Sequence, residues 1–183
     1  LSSVEKDNKT YSYIYDGSGK RIQKNSPETQ LQEFWNNGKI IFENEQLQSE
    51  SNQEQTYHSY IFDNDLIAVA SEGALTNLAI TDVNGDTVKL VSAETPVNSE
   101  YHYDAFGIQL SESTPEVYNP YQYNGKYSDN ETGFYYLNAR YYNPEIGRFM
   151  QEDTYHGNIN NASTLNLYNY CGSNPIAYED STG

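Results

Sequence analysis

The stretch GFYYLNARYY, Gly133 to Tyr142, decides how the rest of the chain is interpreted. It holds four tyrosines and one phenylalanine in ten residues, and NPEIGRF follows it directly, from Asn143 to Phe149. If the stretch is one extended strand, alternate side chains point to opposite faces, so aromatic rings stand on both sides. Such a strand is either an exposed aromatic platform for a ligand or a strand that is covered on both faces.

Each of these two interpretations assigns a role to particular residues. As a platform, the stretch would stack on sugar rings, and the candidate binding residues are Tyr135, Tyr136, Tyr141 and Tyr142. As one continuous strand, it would place Arg140 on the same face as Phe134, Tyr136 and Tyr142. An aromatic ring or a carboxylate would satisfy the guanidinium there, so a structural role for Arg140 is the main interpretation.

Composition narrows the class of protein. The chain has 183 residues, of which 36% are hydrophobic and 19 are tyrosines, so its core must use tyrosine rings whose hydroxyls need partners. The formal net charge of −16 repels phosphate backbones and anionic membranes, which disfavours nucleic-acid binding. No apolar run approaches the ~20 residues of a membrane span. The chain starts at Leu1 without an initiating Met, which predicts a segment of a longer polypeptide.

Short β-prone runs alternate with turn signals along most of the chain, which predicts a mostly β protein built from antiparallel hairpins. Asn37-Gly38 and Asn84-Gly85 mark two of the hairpin turns. The pattern changes after Met150, where NASTLNLYNYCGSNP predicts a short helix near residues 163–171.

An internal repeat of the form Y-x-Y-D-x-x-G occurs twice. In both copies the two tyrosines share a strand face, the aspartate begins a turn and the glycine completes it. A degenerate third copy starts at Tyr60 and ends at Asp63 without the glycine. Hairpins of this kind bury a face by stacking side by side into a continuous sheet. The two full copies consist of Tyr13, Tyr15, Asp16 and Gly19, and of Tyr101, Tyr103, Asp104 and Gly107.

These units resemble the YD repeats of bacterial RHS proteins, and the segment from Tyr121 onward resembles the RHS repeat-associated core. The resemblance follows YQYNGKYSDNETGFYYLNARYYNPEIGRFMQEDTYHG and then STLNLYNYCGSNPIAYEDSTG in order over residues 121–183. It implies three parts: a YD-repeat region at 1–110, a linker at 111–120 and the core domain at 121–183. The core positions that match the family pattern are Gly125, Gly133, Arg140, Tyr141, Tyr142, Gly147, Arg148, Phe149, Asn174 and Pro175.

The resemblance also implies a function. Antiparallel hairpins would form part of a β-shell that encloses and presents a C-terminal, toxin-like segment of the same polypeptide. The partners would be the rest of that polypeptide and its cargo, and the location would be secreted or on the bacterial cell surface. Two alternatives stay open at this point: a surface module that binds carbohydrate or protein, and a self-cleaving protein.

Self-cleavage would depend on Asp180. In the family, an Arg precedes this aspartate and a second Asp acts downstream, whereas here Glu179 precedes it. Ser173 and Ser181 also replace the usual Asn and Pro. Asp180 is therefore a candidate remnant of a cleavage site, and we expect the chain not to be an enzyme.

We expect neither a metal nor a cofactor. Asp82, Asn84 and Asp86 match the first positions of a calcium loop, but Thr87 and Ala93 stand where that loop needs Gly and Glu, so a hairpin turn explains the stretch better. The histidines stand apart without ligand spacing. Cys171 is the single cysteine, which excludes an internal disulfide.

Overall fold

Nearly all regular structure in the chain is antiparallel β-sheet. The computed structural model describes residues 1–48, 54–72, 74–92, 98–111, 114, 117–159, 162–180 and 183. A ten-stranded sheet comprises β1 (Ser3–Lys6), β2 (Lys9–Tyr15), β3 (Arg21–Asn25), β4 (Thr29–Asn36), β5 (Lys39–Leu47), β6 (Gln55–Phe62), β7 (Leu66–Ser71), β8 (Ala74–Thr81), β9 (Thr87–Ser92) and β10 (Asn98–Glu100). A four-stranded sheet comprises β11 (Tyr127–Asp129), β12 (Phe134–Leu137), β13 (Arg140–Asn143) and β14 (Arg148–Phe149).

Both sheets are meanders, in which every strand pairs with the next strand along the chain. This order confirms the predicted stacking of antiparallel hairpins. The hairpin at Asn37-Gly38 also has the predicted geometry, because both residues have positive φ, 48° and 77°, as a type I′ turn requires.

The two full copies of the repeat form the same turn. One oxygen of the Asp16 carboxylate accepts the N–H groups of Ser18 and Lys20, while its carbonyl accepts the N–H of Gly19. Asp104 makes the equivalent three hydrogen bonds, to residues 106, 108 and 107. Each aspartate thus caps its own turn, which is the physical reason why the motif needs Asp at this position.

The third turn of this kind lies at Asp82 rather than at Asp63. Asp82 accepts the N–H groups of Asn84 and Asp86 with its carboxylate and that of Gly85 with its carbonyl. The turn after Asp63 is shorter, since the N–H of Asp63 bonds directly to the carbonyl of Asp65. The hairpin interpretation of residues 82–86 is therefore confirmed, and the degenerate copy that ends at Asp63 does not form the aspartate turn of the two full copies.

In four of the hairpins a register shift beside the turn places one extra residue on the strand after the turn and aims the residue before it inward. The shifts lie at Ile14/Tyr15, Phe34/Trp35, Ile61/Phe62 and Ile80/Thr81. The extra residue of a bulge changes which face the following side chains occupy. The residues paired across from these shifts are all at most 4% exposed: Arg21, Ile40, Leu66 and Thr87.

The opening stretch Gly133–Tyr142 is a hairpin and not one continuous strand. Asn138, with φ of 62°, turns the chain between β12 and β13, and Leu137 pairs with Arg140. The turn reverses the face to which odd- and even-numbered side chains point in β13. Arg140 therefore lies on the same face as Leu137 and Tyr142. The prediction that it shares a face with Phe134 and Tyr136 is wrong for this reason.

Both faces of this hairpin are covered. Tyr136 and Tyr141 pack against the ten-stranded sheet, in a core that also contains Tyr13, Tyr60 and Leu90. The opposite face packs in a second cluster, which consists of Tyr123, Tyr135, Leu137, Tyr142, Phe149 and Tyr170. The interpretation that this stretch is covered on both faces is therefore confirmed, although the stretch is a hairpin and not a single strand.

The parts outside the sheets are short turns. The helix predicted near 163–171 is replaced by two separate 3-10 turns, Ala162–Leu165 and Cys171–Ser173, and a third lies at Tyr123–Gly125. Within the described residues, no helix has the length and apolar character to cross a membrane.

The second repeat copy forms the same turn as the first but lies outside the ten-stranded sheet, and its two sides are joined by a single β-bridge between Tyr103 and Gln109. The proposed linker at 111–120 lies partly outside the described residues, and the domain boundaries stay a prediction.

Gly107 and Gly19 provide a matched pair of substitutions. Both glycines end the same turn with similar φ, 90° and 85°, but a Cβ at Gly107 would lie 2.6 Å from the Tyr123 ring, whereas one at Gly19 meets nothing within 4 Å. We expect Gly19→Ala to lower the free energy of unfolding by ~1–2 kcal/mol through backbone strain. Gly107→Ala should cost a further ~1–3 kcal/mol because a buried ring must move. Urea unfolding of the two variants tests this, and equal losses would contradict it.

Candidate functional site: a charged joint between the two sheets

Five charged side chains are buried where the ten-stranded sheet meets the four-stranded sheet. Burying a charge costs free energy unless opposite charges and hydrogen bonds compensate for the lost water. Each of these charges therefore needs a hydrogen-bond or ion-pair partner inside the protein. We call it the charged joint, and it consists of Arg21, Lys24, Glu33, Glu43 and Asp129.

Arg21 is the centre of the charged joint. It has no exposed surface, and its Nε donates to both carboxylate oxygens of Glu33 on β4, at 2.9 and 3.0 Å. Its Nη1 reaches the other sheet and donates to Asp129, at 2.6 Å, and to the hydroxyl of Tyr141, at 2.9 Å. The guanidinium carbon also lies 4.5 Å from the ring centre of Tyr136. One side chain thus ties β3 to β4 and to β11, β12 and β13.

Lys24 is the second cation of the charged joint. Its Nζ lies 3.2 Å from Asp129 and 2.7 Å from Glu131. Burial by itself would raise the pKa of Asp129, but the charges of Arg21 and Lys24 outweigh it and hold that pKa below its usual range. Asp129 is therefore an ionised carboxylate that binds two cations of the ten-stranded sheet.

Glu43 is bound by phenols instead of a cation. The hydroxyl of Tyr60 donates to it at 2.5 Å, the hydroxyl of Tyr127 donates to its other oxygen, and the hydroxyl of Tyr118 lies 3.4 Å away. Burial raises the pKa of Glu43, although these hydrogen bonds oppose the shift. The carboxyl group is fully buried, and its direct hydrogen bonds connect β5 to β6 and β11.

A second set of hydrogen bonds covers the other face of the β12–β13 hairpin. The hydroxyl of Tyr123 donates to the carbonyl of Ala105 at 2.7 Å, that of Tyr142 to Phe106 at 2.8 Å, and that of Tyr135 to Gly107 at 2.9 Å. Three phenols therefore bind three successive carbonyls of the second repeat turn. The turn at residues 104–107, which lies outside the ten-stranded sheet, therefore covers this face of the β12–β13 hairpin.

The four candidate binding tyrosines are buried. Tyr135 and Tyr136 are 3% exposed, and Tyr141 and Tyr142 are 1% exposed. A sugar ring needs an exposed aromatic face to stack on, so this conformation gives a ligand no access to these four rings. Their geometry fits packing rather than binding.

Arg140 and Asp180 come close to each other near the end of the chain. Arg140 binds Asp153 at 2.9 Å, lies 3.7 Å from Asp180, and covers the Phe149 ring at 3.6 Å from its centre. Asp180 also accepts the N–H of Gly183 at 2.8 Å. The residue preceding it, Glu179, pairs with Lys126 at 3.3 Å. The arrangement joins the C-terminal residues to the β13 strand.

The other motif residues have ordinary structural positions. Tyr13 and Tyr101 are buried and Tyr15 and Tyr103 half-buried, all packed in the core between the sheets. Phe149 is buried, whereas Arg148 is exposed. The carbonyl of Asn174 accepts the N–H of Ala177 in the turn that contains Pro175. The three remaining glycines all adopt positive φ in turns: Gly125, Gly133 and Gly147.

The sequence interpretation missed the charged joint. One signal was present: Glu33 stands between Leu31 and Trp35 at the spacing of a shared strand face, which is a charge on an otherwise apolar face. Asp129 stands in the quoted stretch YSDNETG, but nothing there marks it as a partner of Arg21. The two residues are 108 positions apart, and nothing local connects them.

The chain is similar to one protein family and to several curated proteins. The family model described as Teneurin YD-shell matches residues 1–176. Among curated proteins, the chain is 29% identical over 93% of its length to the tRNA3(Ser)-specific nuclease WapA of Bacillus spizizenii. It is 36% identical over 56% of its length to the tRNA nuclease WapA of Bacillus subtilis. The chain spans only 7% and 4% of the length of these two relatives.

The fold also occurs in solved structures. A crystal structure of TcdB2-TccC3 without its hypervariable C-terminal region matches 98% of this chain with a TM-score of 0.77 and 23% identity. The matching part is 9% of that chain. The similarity shows that the same sheet arrangement forms part of a much larger protein.

Replacement of Arg21 tests the charged joint. We expect Arg21→Met to lower the free energy of unfolding by ~3–5 kcal/mol, because it leaves Glu33 and Asp129 buried without their shared cation. Arg148→Met is the matched control at an exposed arginine and should change stability by less than ~0.5 kcal/mol. Chemical denaturation measures both. Similar small losses in the two variants would show that the joint is not needed.

Proposed function

Because the chain belongs to the teneurin YD-shell family, we propose that it forms a wall segment of a protein shell that encloses a C-terminal segment of the same polypeptide. The relatives support a shell role in toxin proteins, and this chain corresponds to a small part of them. On this proposal the chain is structural rather than enzymatic, and its partners are the rest of its own polypeptide and that polypeptide's cargo.

The observation that carries the proposal is the two-sided covering of the tyrosine hairpin. The ten-stranded sheet packs on Tyr136 and Tyr141, and the turn around Phe106 packs on Tyr135 and Tyr142. A hairpin packed on both faces fills the space beside the sheet and is held in one position. The arrangement suits a barrier, because the tyrosines of the hairpin are packed against neighbouring parts of the chain and not open to a ligand.

The opposite face of the ten-stranded sheet supports the same role. It carries half-exposed apolar side chains at regular positions, which are 45–48% exposed at Ile14, Phe34, Ile61 and Leu78. A sheet packed on one face and open on the other is the expected form of a wall. We propose that the complete protein is secreted or displayed at the bacterial surface, where an enclosed segment is kept from proteases and targets until release.

Self-cleavage is the alternative that concerns Asp180. The geometry supports an anchoring role, since its carboxylate accepts a backbone N–H from Gly183 and lies near Arg140. Glu179, which pairs with Lys126, stands where self-cleaving relatives are expected to have an arginine. We therefore propose that Asp180 fastens the end of the core segment instead of cutting it.

Limited proteolysis of the complete polypeptide tests enclosure. We expect the segment that follows residue 183 to resist a protease in the intact protein and to be digested when it is expressed alone. Arg21→Met should expose it, because the joint that holds the sheets together is weakened, while Arg148→Met should preserve its protection. Equal digestion of the segment in the intact protein and alone would disprove enclosure.

Mass spectrometry of the same polypeptide tests the role of Asp180. We expect the wild type and Asp180→Asn both to remain uncut, with no fragment that ends near residue 180. A cut at this position that disappears in Asp180→Asn would establish self-cleavage instead. Glu145→Gln, an exposed carboxylate replacement, is the matched control and should leave the pattern unchanged.

A further inference from the structure

The charged joint contains more negative than positive groups. Three carboxyl groups, those of Glu33, Glu43 and Asp129, face two cations, Arg21 and Lys24, and four of these five have at most 4% exposure. Glu131 at the edge adds another carboxylate beside Lys24. An unbalanced charge in a dry site is costly, and binding a proton is the ordinary way to remove it.

The two glutamates are the place where such a proton can bind. Glu33 and Glu43 are directly opposite each other across β4 and β5, and like charges in this position repel. Glu33 is bound by Arg21. Glu43 takes part in none of the ion pairs that the described residues form, and its hydrogen bonds come from the neutral phenols of Tyr60 and Tyr127.

We propose that the Glu33–Glu43 pair holds one proton in the closed joint, which makes the joint a proton-sensitive latch between the two sheets. The latch is closed in mild acid, where the pair carries a single negative charge. It loosens as the pH rises, because release of the proton leaves two buried carboxylates facing each other. This proposal concerns the joint itself and does not depend on what the shell encloses.

The direction of the pKa shifts agrees with this arrangement. Burial raises the pKa of Glu33 to about 7 against the opposing effect of Arg21, and burial raises the pKa of Glu43 as well. A carboxyl whose pKa is higher in the folded chain than in the unfolded chain binds a proton that the unfolded chain has already released. Its stabilisation is present at acidic pH and is lost as the pH rises through the folded value.

Other groups at the joint titrate in the opposite sense or not at all in this range. His58 on β6 is directly opposite Glu43, and burial lowers its pKa, so its contribution is lost as the pH falls. The lowered pKa of Asp129 acts in the same direction at more acidic pH. Burial raises the pKa of Tyr60 and Tyr127, so both remain phenols.

Three further groups complete the surroundings of the pair. Tyr118 is 40% exposed, but its hydroxyl lies 3.4 Å from Glu43, and the burial of that hydroxyl together with the charge of Glu43 raises its pKa, so it stays protonated. Burial opposes the positive charge of Lys24, but its carboxylate partners raise its pKa well above the ordinary value. Arg21 likewise keeps its charge beside Asp129 and Glu33. The pair of glutamates is therefore the part of the joint that changes charge between mild acid and neutral pH.

Thermal unfolding of the 183-residue chain from about pH 5 to about pH 8 tests the latch. We expect the wild-type Tm to fall by roughly 5–10 °C over this range. Glu43→Gln should remove most of this fall, since the amide cannot release a proton. Glu145→Gln is the matched control, because it removes one exposed negative charge and leaves the joint intact. An equal fall in the Glu43→Gln and Glu145→Gln chains would overturn the proposal.

Infrared spectroscopy of the wild type gives a second measurement that does not depend on the stability of a variant. We expect the carbonyl stretch of a protonated carboxylic acid to persist at about pH 6, above the range in which exposed carboxyls titrate. The band should be absent from Glu33→Gln or Glu43→Gln if either folds, and should remain in Glu145→Gln. A wild-type spectrum without this band at about pH 6 would also overturn the proposal.

Discussion

The burial of the Arg21 guanidinium is the constraint on which the two-sheet arrangement depends. A charge with no exposed surface must find its counter-charges inside the protein, and here these come from both sheets, Glu33 on one and Asp129 on the other. Glu33 binds the Nε and Nη2 side of the guanidinium, and Asp129 binds Nη1 from the other sheet. A buried ion pair contributes little to net stability, but a buried charge that has lost its partner is strongly destabilising. The charged joint therefore selects one relative placement of the sheets over apolar alternatives.

The abundance of tyrosine has a related explanation. A tyrosine ring fills a core as a large apolar group, and its hydroxyl can reach a polar partner at the edge of that core. Tyr121 donates to the carbonyl of Ile40, Tyr136 accepts the N–H of Arg21, and Tyr142 donates to the carbonyl of Phe106. The phenols thus satisfy backbone groups where the chain leaves regular strand pairing. A core of leucine would leave these groups unpaired.

Local signals predicted the local structure well. The repeated aspartate turns follow from the hydrogen-bonding capacity of one side chain toward its own backbone, so the Asp16 and Asp104 turns could be inferred from a few residues. The hairpin at Asn138 was missed because its turn contains no glycine, although asparagine tolerates positive φ. That single omission reversed the face assigned to Arg140. The helix predicted near residues 163–171 did not form either, because the chain there makes two separate 3-10 turns, Ala162–Leu165 and Cys171–Ser173.

The amino-acid sequence by itself determined that this protein is built from antiparallel hairpins and that tyrosines stand on both faces of the stretch from Gly133 to Tyr142. Strand periodicity and turn chemistry are properties of neighbouring residues, so they can be read locally. Only the tertiary structure decided what covers those faces and that Asp129 binds Arg21 and Lys24. These contacts join residues more than a hundred positions apart, and their existence depends on how two completed sheets pack. The ten residues from Gly133 to Tyr142 are consequently a hairpin packed on both faces and not an open aromatic platform.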